Sequence, residues 1–122
     1  MAVAQVYQRH GRSQRALATI QSLSESYPPG EEPAELLYWH GMAFASLGRH
    51  SQAVQHFAMA ESRGMQSADL QFRLAESHHL AGERGAAAAA LDRAMYLDPD
   101  HPHAARLCES IQPGRRVARV RN

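Results

Sequence analysis

Ala34-Glu35-Leu36-Leu37-Tyr38-Trp39-His40-Gly41 and Ala68-Asp69-Leu70-Gln71-Phe72-Arg73-Leu74-Ala75 lie 34 residues apart and share an order of small, acidic and apolar residues. The same offset takes Gly48 to Gly82, Ala53 to Ala87, Phe57 to Leu91 and Ala60 to Ala94. Upstream, Gly11, Ala16, Ile20 and Leu23 form the same series, 37 residues ahead of Gly48, Ala53, Phe57 and Ala60. Glu31-Glu32-Pro33 supplies the three additional residues. A fixed period of this length marks a repeat architecture, in which each unit buries its apolar face only by stacking on its neighbours.

The residue types within each period fit two helices joined by a turn. Small residues at Gly41, Ala75, Ala53 and Ala87 let two backbones approach. Gly48 and Gly82 suit the positive φ of a helix C-cap. Pro28 and Pro99 stop the second helix of a pair. The pattern predicts helices near 2–10, 13–26, 34–47, 50–63, 68–80, 84–97 and 102–112. The last is a capping helix opened by Pro102 after Asp100 or His101. The alanine run 86–90 falls inside a helix, where alanine has the best propensity.

With these residues in place, the chain resembles the tetratricopeptide repeat family. That pattern has a small residue at position 8, an aromatic at 11, Gly at 15, Ala at 20, a large apolar residue at 24, Ala at 27 and Pro at 32. The repeat 34–67 supplies Gly41, Phe44, Gly48, Ala53, Phe57 and Ala60. The repeat 68–101 supplies Ala75, Gly82, Ala87, Leu91, Ala94 and Pro99. The first repeat, about 1–33, starts near position 5 and supplies Ala4, Tyr7, Gly11, Ala16, Ile20 and Pro28. Departures are Leu37 and Gln71 where Trp is usual, His40 where Leu is usual, His78 at position 11 and Met65 at position 32. The resemblance implies an all-α fold, an α-solenoid of about three helix-turn-helix repeats with a capping helix. It is expected as a single domain over 1–112, followed by a basic, disordered tail at 113–122.

The resemblance also implies a site. Helix-A positions 2, 5, 9, 12 and 13 line the concave face of such a solenoid, which here means Glu35, Tyr38, Met42, Ala45 and Ser46, and then Asp69, Phe72, Glu76, His79 and Leu80. Gln5, Gln8 and Arg9 would extend the line at one end, and His103, Arg106 and Ser110 at the other. Tyr38, Met42, Phe72 and Leu80 put apolar side chains on a face that should meet solvent, and such patches mark binding sites. Glu35, Asp69, Glu76, His79 and Arg106 would set register and charge preference. Trp39, one position off this line, reads as structural.

Other chemistries fit less well. The segment 98–103 holds two histidines and two aspartates, but its prolines stiffen it and Asp-Pro is an ordinary helix end, so no metal is expected. Adjacent His78 and His79 point about 100° apart on a helix; His78 reads as core. The lone cysteine, Cys108, cannot form an internal disulfide and reads as buried and inert. The chain has no nucleophile elbow, phosphate-cradling loop or convergent acid–base set, so neither enzyme activity nor a cofactor is expected.

Charge divides unevenly. There are 13 arginines, no lysine and 12 acids, giving +1; the tail holds four arginines and no acid, so residues 1–111 carry 9 minus 12, or −3. Four charges on a short tail make only a weak, salt-sensitive contact with nucleic acid or an anionic membrane, so no specific nucleic-acid partner is expected. No apolar run approaches the ~20 residues of a membrane helix, and no signal-peptide pattern opens the chain. The arginine- and alanine-rich, lysine-free composition suits a bacterial protein, and the lone cysteine suits the reducing cytoplasm.

The expected function is protein binding, without catalysis. Leu70 to Glu83 is similar to a segment in the small tetratricopeptide chaperones of bacterial type III secretion. That similarity implies a concave groove holding an apolar segment of an export substrate or secretion component. The alternative is a scaffold or adaptor in an envelope, pilus or polysaccharide-export assembly, for which the abbreviated first repeat would suit a piece of a longer array. Exposed helix faces at solenoid ends also make a homodimer an expectation.

Overall fold

The computed structural model describes the backbone of residues 2–111 and the side chains of residues 11–111. Six helices follow one another: α1 Ala2–Glu25, α2 Ala34–Ser46, α3 His50–Ser62, α4 Ala68–Leu80, α5 Arg84–Leu97 and α6 Pro102–Ile111. Among the described residues there is no strand, as the all-α reading expects. Five helices end within a residue of their predicted limits. The basic tail and its expected disorder lie outside the described residues, as do the side chains of Gln5, Gln8 and Arg9.

The first repeat requires a correction. Helices at 2–10 and 13–26 were expected on either side of a turn at Gly11, but α1 runs through it as one 24-residue helix. Gly11 keeps a negative φ, and nothing lies within 4 Å of where its Cβ would be. A turn gives up several ladder hydrogen bonds, whereas a mid-helix glycine costs about 1 kcal/mol. The turn wins only where both arms pack, as they do at Gly48 and Gly82, whose φ values are 78° and 85°. The sequence therefore carries three periods, of which two form helix pairs.

The chain divides into two compact units, Met1–Met65 and Gln66–Asn122. In the first, α2 packs on both α1 and α3. It comes close to α3 at Gly41, where a Cβ would stand 2.7 Å from the Phe57 ring. Leu37, Phe44, Ala53, Phe57 and Ala60 are buried. The Arg63 guanidinium donates to the Glu32 carbonyl and lies 3.6 Å from its carboxylate, tying α3 to the segment before α2.

In the second unit α4 packs on α5, and α6 closes against both. Leu70, Ala75, Ala87, Leu91, Ala94 and Ala104 are sealed. Ser67 caps α4 by accepting from the Leu70 amide at 3.0 Å. Gln71, at a position where the family usually has Trp, is buried and accepts from Arg93 Nε at 2.8 Å, so α4 and α5 are joined there by a polar contact. His101 caps α6: its Nδ1 accepts from the Ala104 amide at 3.1 Å, and its Nε2 donates to Asp69 at 2.7 Å. Cys108 is 1% exposed, in line with the buried reading.

Candidate functional site

Three of the expected groove residues lie on α2 in the first unit. Glu35 is exposed in the first turn. Tyr38 is half-buried, its ring 5.6 Å from that of Phe57, and Met42 is also half-buried. Tyr38, Trp39 and Met42 line one wall of a groove of about 420 Å³, and Ser13, Ala16 and Ile20 of α1 line the other. Trp39, read as structural, is 54% exposed and belongs to this wall. It was missed because helical register places it between the core and the concave line. The groove is open because α1 continues as one helix and, among the described residues, no first helix of that repeat turns back along it.

Burial and charge behind this wall are unusual. His40 is buried against Phe44, with ring centroids 5.0 Å apart, and against His56 at 4.2 Å; its Nε2 has no hydrogen-bond partner. Burial, reinforced by His56 and opposed by Glu32, pushes the His40 imidazole down to about 4. It is neutral near pH 7 and fills a position where Leu is usual by stacking on aromatic rings. A backbone hydrogen bond, with help from Ser24 and Arg63, holds the Glu32 carboxyl below its usual range despite partial burial.

The other six candidates lie in the second unit. Phe72 was expected to face solvent; it is 6% exposed, with His101 and His103 at 5.4 and 5.7 Å and the Arg73 guanidinium 5.4 Å from its ring. It forms the floor of a pocket of about 270 Å³ whose sides are Glu76, His103, Arg106, Leu107 and Ser110. Sequence register had placed His103, Arg106 and Ser110 on one line, and α6 does bring them to Phe72 and Glu76. Glu76 also lies 3.5 Å from Arg73, and Arg106 is exposed. Leu80 ends α4 with 57% of its surface exposed, and His79 is half-buried.

Asp69 plays a different part from the one expected. It accepts from His101, so its carboxylate steadies the start of α6. His78, read as core, instead pairs with Glu83 through Nδ1 at 2.8 Å. Among the described residues, no three His, Cys, Asp or Glu side chains converge as metal ligands.

These helix pairs and their register have counterparts among known proteins. Tetratricopeptide repeat profiles match residues 2–68 and 68–101. None of the curated proteins matches the sequence. The crystal structure of PcrH in complex with the chaperone binding region of PopD is similar in fold, with a TM-score of 0.69 and 22% identity, over 97% of this chain and 92% of that one. No helix among the described residues is long and apolar enough to cross a membrane. A repeat profile that spans more than half the sequence, and helix pairs built on its small and large positions, assign this chain to the tetratricopeptide repeat family.

Proposed function

We propose that this protein is a non-enzymatic chaperone of bacterial secretion, acting in the cytoplasm by holding an apolar segment of its partner. The observation that carries the reading is the likeness, over nearly the whole chain, to a protein whose structure contains the chaperone binding region of a partner. Two surfaces support it. The α1–α2 groove offers Tyr38, Trp39 and Met42, and the α4–α6 pocket offers Phe72 between Glu76 and Arg106. An aromatic floor with charged walls takes an apolar side chain and orients the polar groups beside it. Leu80 extends the apolar surface at the end of α4.

The burial of Phe72 decides how the reading is tested. Phe72→Ala would hollow the unit itself, at a cost of about 3–5 kcal/mol. Leu80→Ala with Arg106→Glu changes only exposed groups. Pull-down from the native cells, followed by mass spectrometry, should return one dominant partner that is insoluble when made alone. The double variant should lose about 1–3 kcal/mol of partner affinity while keeping its circular dichroism. Several soluble assembly components, captured equally by both proteins, would overturn the chaperone reading in favour of a scaffold.

A further inference from the structure

The groove between α1 and α2 has the form of a helix seat. In the two later repeats, the second helix presents its position-20 and position-24 residues to the first helix of the pair. Ala53, Phe57 and Ala87 are 0% exposed there, and Leu91 is 1%. In the first repeat the residues in that register are Ala16, which is exposed, and Ile20, which is half-buried. Both line the groove, opposite Trp39 and Met42. Trp39 alone leaves 54% of its surface in water.

The chain contains a segment patterned for this seat. Residues 2–10 read Ala-Val-Ala-Gln-Val-Tyr-Gln-Arg-His. Ala4 stands in the register of Gly41 and Ala75, Tyr7 in that of Phe44, and Gly11 in that of Gly48 and Gly82. Yet α1 is continuous from Ala2 to Glu25, so its first turns cannot double back onto the groove beside its own second half. A seat, a segment that matches it and a straight helix that keeps them apart within one copy are the elements of domain exchange.

We infer that the chain forms a homodimer in which residues 2–10 of each copy occupy the α1–α2 groove of the other, with Gly11 at the hinge. The exchange is reciprocal, so two copies close the assembly and leave no seat uncovered. Ala4 in the seat is as small as Ala75, which is fully buried in the same register of α4. The apolar Val3, Val6 and Tyr7 match the apolar wall. The exchange occupies the α1–α2 groove, so a secretion partner would then be held at the α4–α6 pocket, which the Leu80 and Arg106 variants test in the other unit.

The full-length chain in a Cys108→Ala background provides the test. One preparation carries Ala4→Cys and another Ile20→Cys; they are mixed, equilibrated and gently oxidised. The expected product is a disulfide-linked pair that needs both chains, from a protein whose scattering mass is twice 13.5 kDa. Tyr7→Asp places a charge in the seat and should weaken the dimer at least about tenfold, with helicity retained. Two results would overturn the inference. One is a monomeric mass, with a third variant that carries both Ala4→Cys and Ile20→Cys linking within its own chain, which would mean that the segment folds back onto its own groove. The other is a dimer indifferent to Tyr7→Asp and without the mixed cross-link, which would place the contact on another face.

Discussion

Two residues on α2 carry opposite constraints. Gly41 holds α2 against α3, and there is no room beside it: a Cβ would meet Phe57 Cδ1 and Cε1 at 2.7 Å, and Phe57 is fully buried and cannot swing aside. Gly41→Ala should therefore cost about 1–3 kcal/mol of stability by overpacking, measured by urea unfolding. An unchanged midpoint would mean that the two helices can separate at no cost. His40, one residue earlier, is a titration liability. Its imidazole is depressed from 6.5 to about 4, so the unfolded chain takes up its proton first as pH falls. The stability tied to neutral His40 is complete above pH 6.5 and is lost as pH falls towards about 4. The loss amounts to roughly 3 kcal/mol at the lower limit. His56 adds to the effect and Glu32 opposes it. His40→Leu, the family's usual residue, should flatten the fall in stability between pH 7 and 5. An equally steep fall in that variant would move the effect to another group.

At the scale of the element, α1 and α6 depart from the helix-pair plan. In α1, Gly11 costs helix stability without serving a turn, since its φ is negative and no atom crowds it. Gly11→Ala should raise stability by about 0.5–1 kcal/mol and keep or raise helicity. If Gly11 adopted the left-handed conformation of Gly48 and Gly82, the same change would destabilise, so the sign of the shift in denaturation midpoint decides between the two forms. In α6 the cap is a histidine ring rather than a hydroxyl or carboxylate. His101→Ala removes both the Ala104 cap and the Asp69 contact, and should lower stability by about 1–2 kcal/mol. Hydrogen exchange should show α6 amides opening before those of α4. Uniform exchange through both helices would make α6 part of the unit's core rather than a docked end.

At the scale of the molecule, charge is a property of the whole chain that neither part shares. The full sequence carries +1 with neutral histidines, and removal of its four tail arginines leaves −3. The full chain should therefore bind a cation exchanger at pH 7 and low salt, and Arg→Ala changes at 115, 116, 119 and 121 should abolish retention. Retention by that variant would locate a basic patch on the helical units. The same arginines should make any contact with nucleic acid or anionic lipid vanish on raising salt, because exposed charges are screened within about 10 Å at 0.1 M.

The period, the helices from α2 to α6 and the stops at Pro28 and Pro99 were legible in the sequence, whereas the turn expected at Gly11 is replaced by a continuous α1. Spacing of small and large residues is a local, one-dimensional record of which faces must be buried, so register carried Ala53, Phe57, Leu91 and Cys108 to their places. Register also placed Phe72, Glu76, His103, Arg106 and Ser110 on the lines that α4 and α6 bring together. Which side chains then meet water was decided by tertiary packing. Phe72 is covered because His101, His103 and Arg73 converge on it from α6 and its own helix, and Asp69 is held by the cap of a helix 32 residues away. Trp39 is uncovered because the helix expected to flank it continues along α1. A glycine in the right register permits a turn but does not compel one. Whether the chain turns or runs on depends on the packing available to both arms, and that free energy belongs to the folded structure, or to a second copy of it.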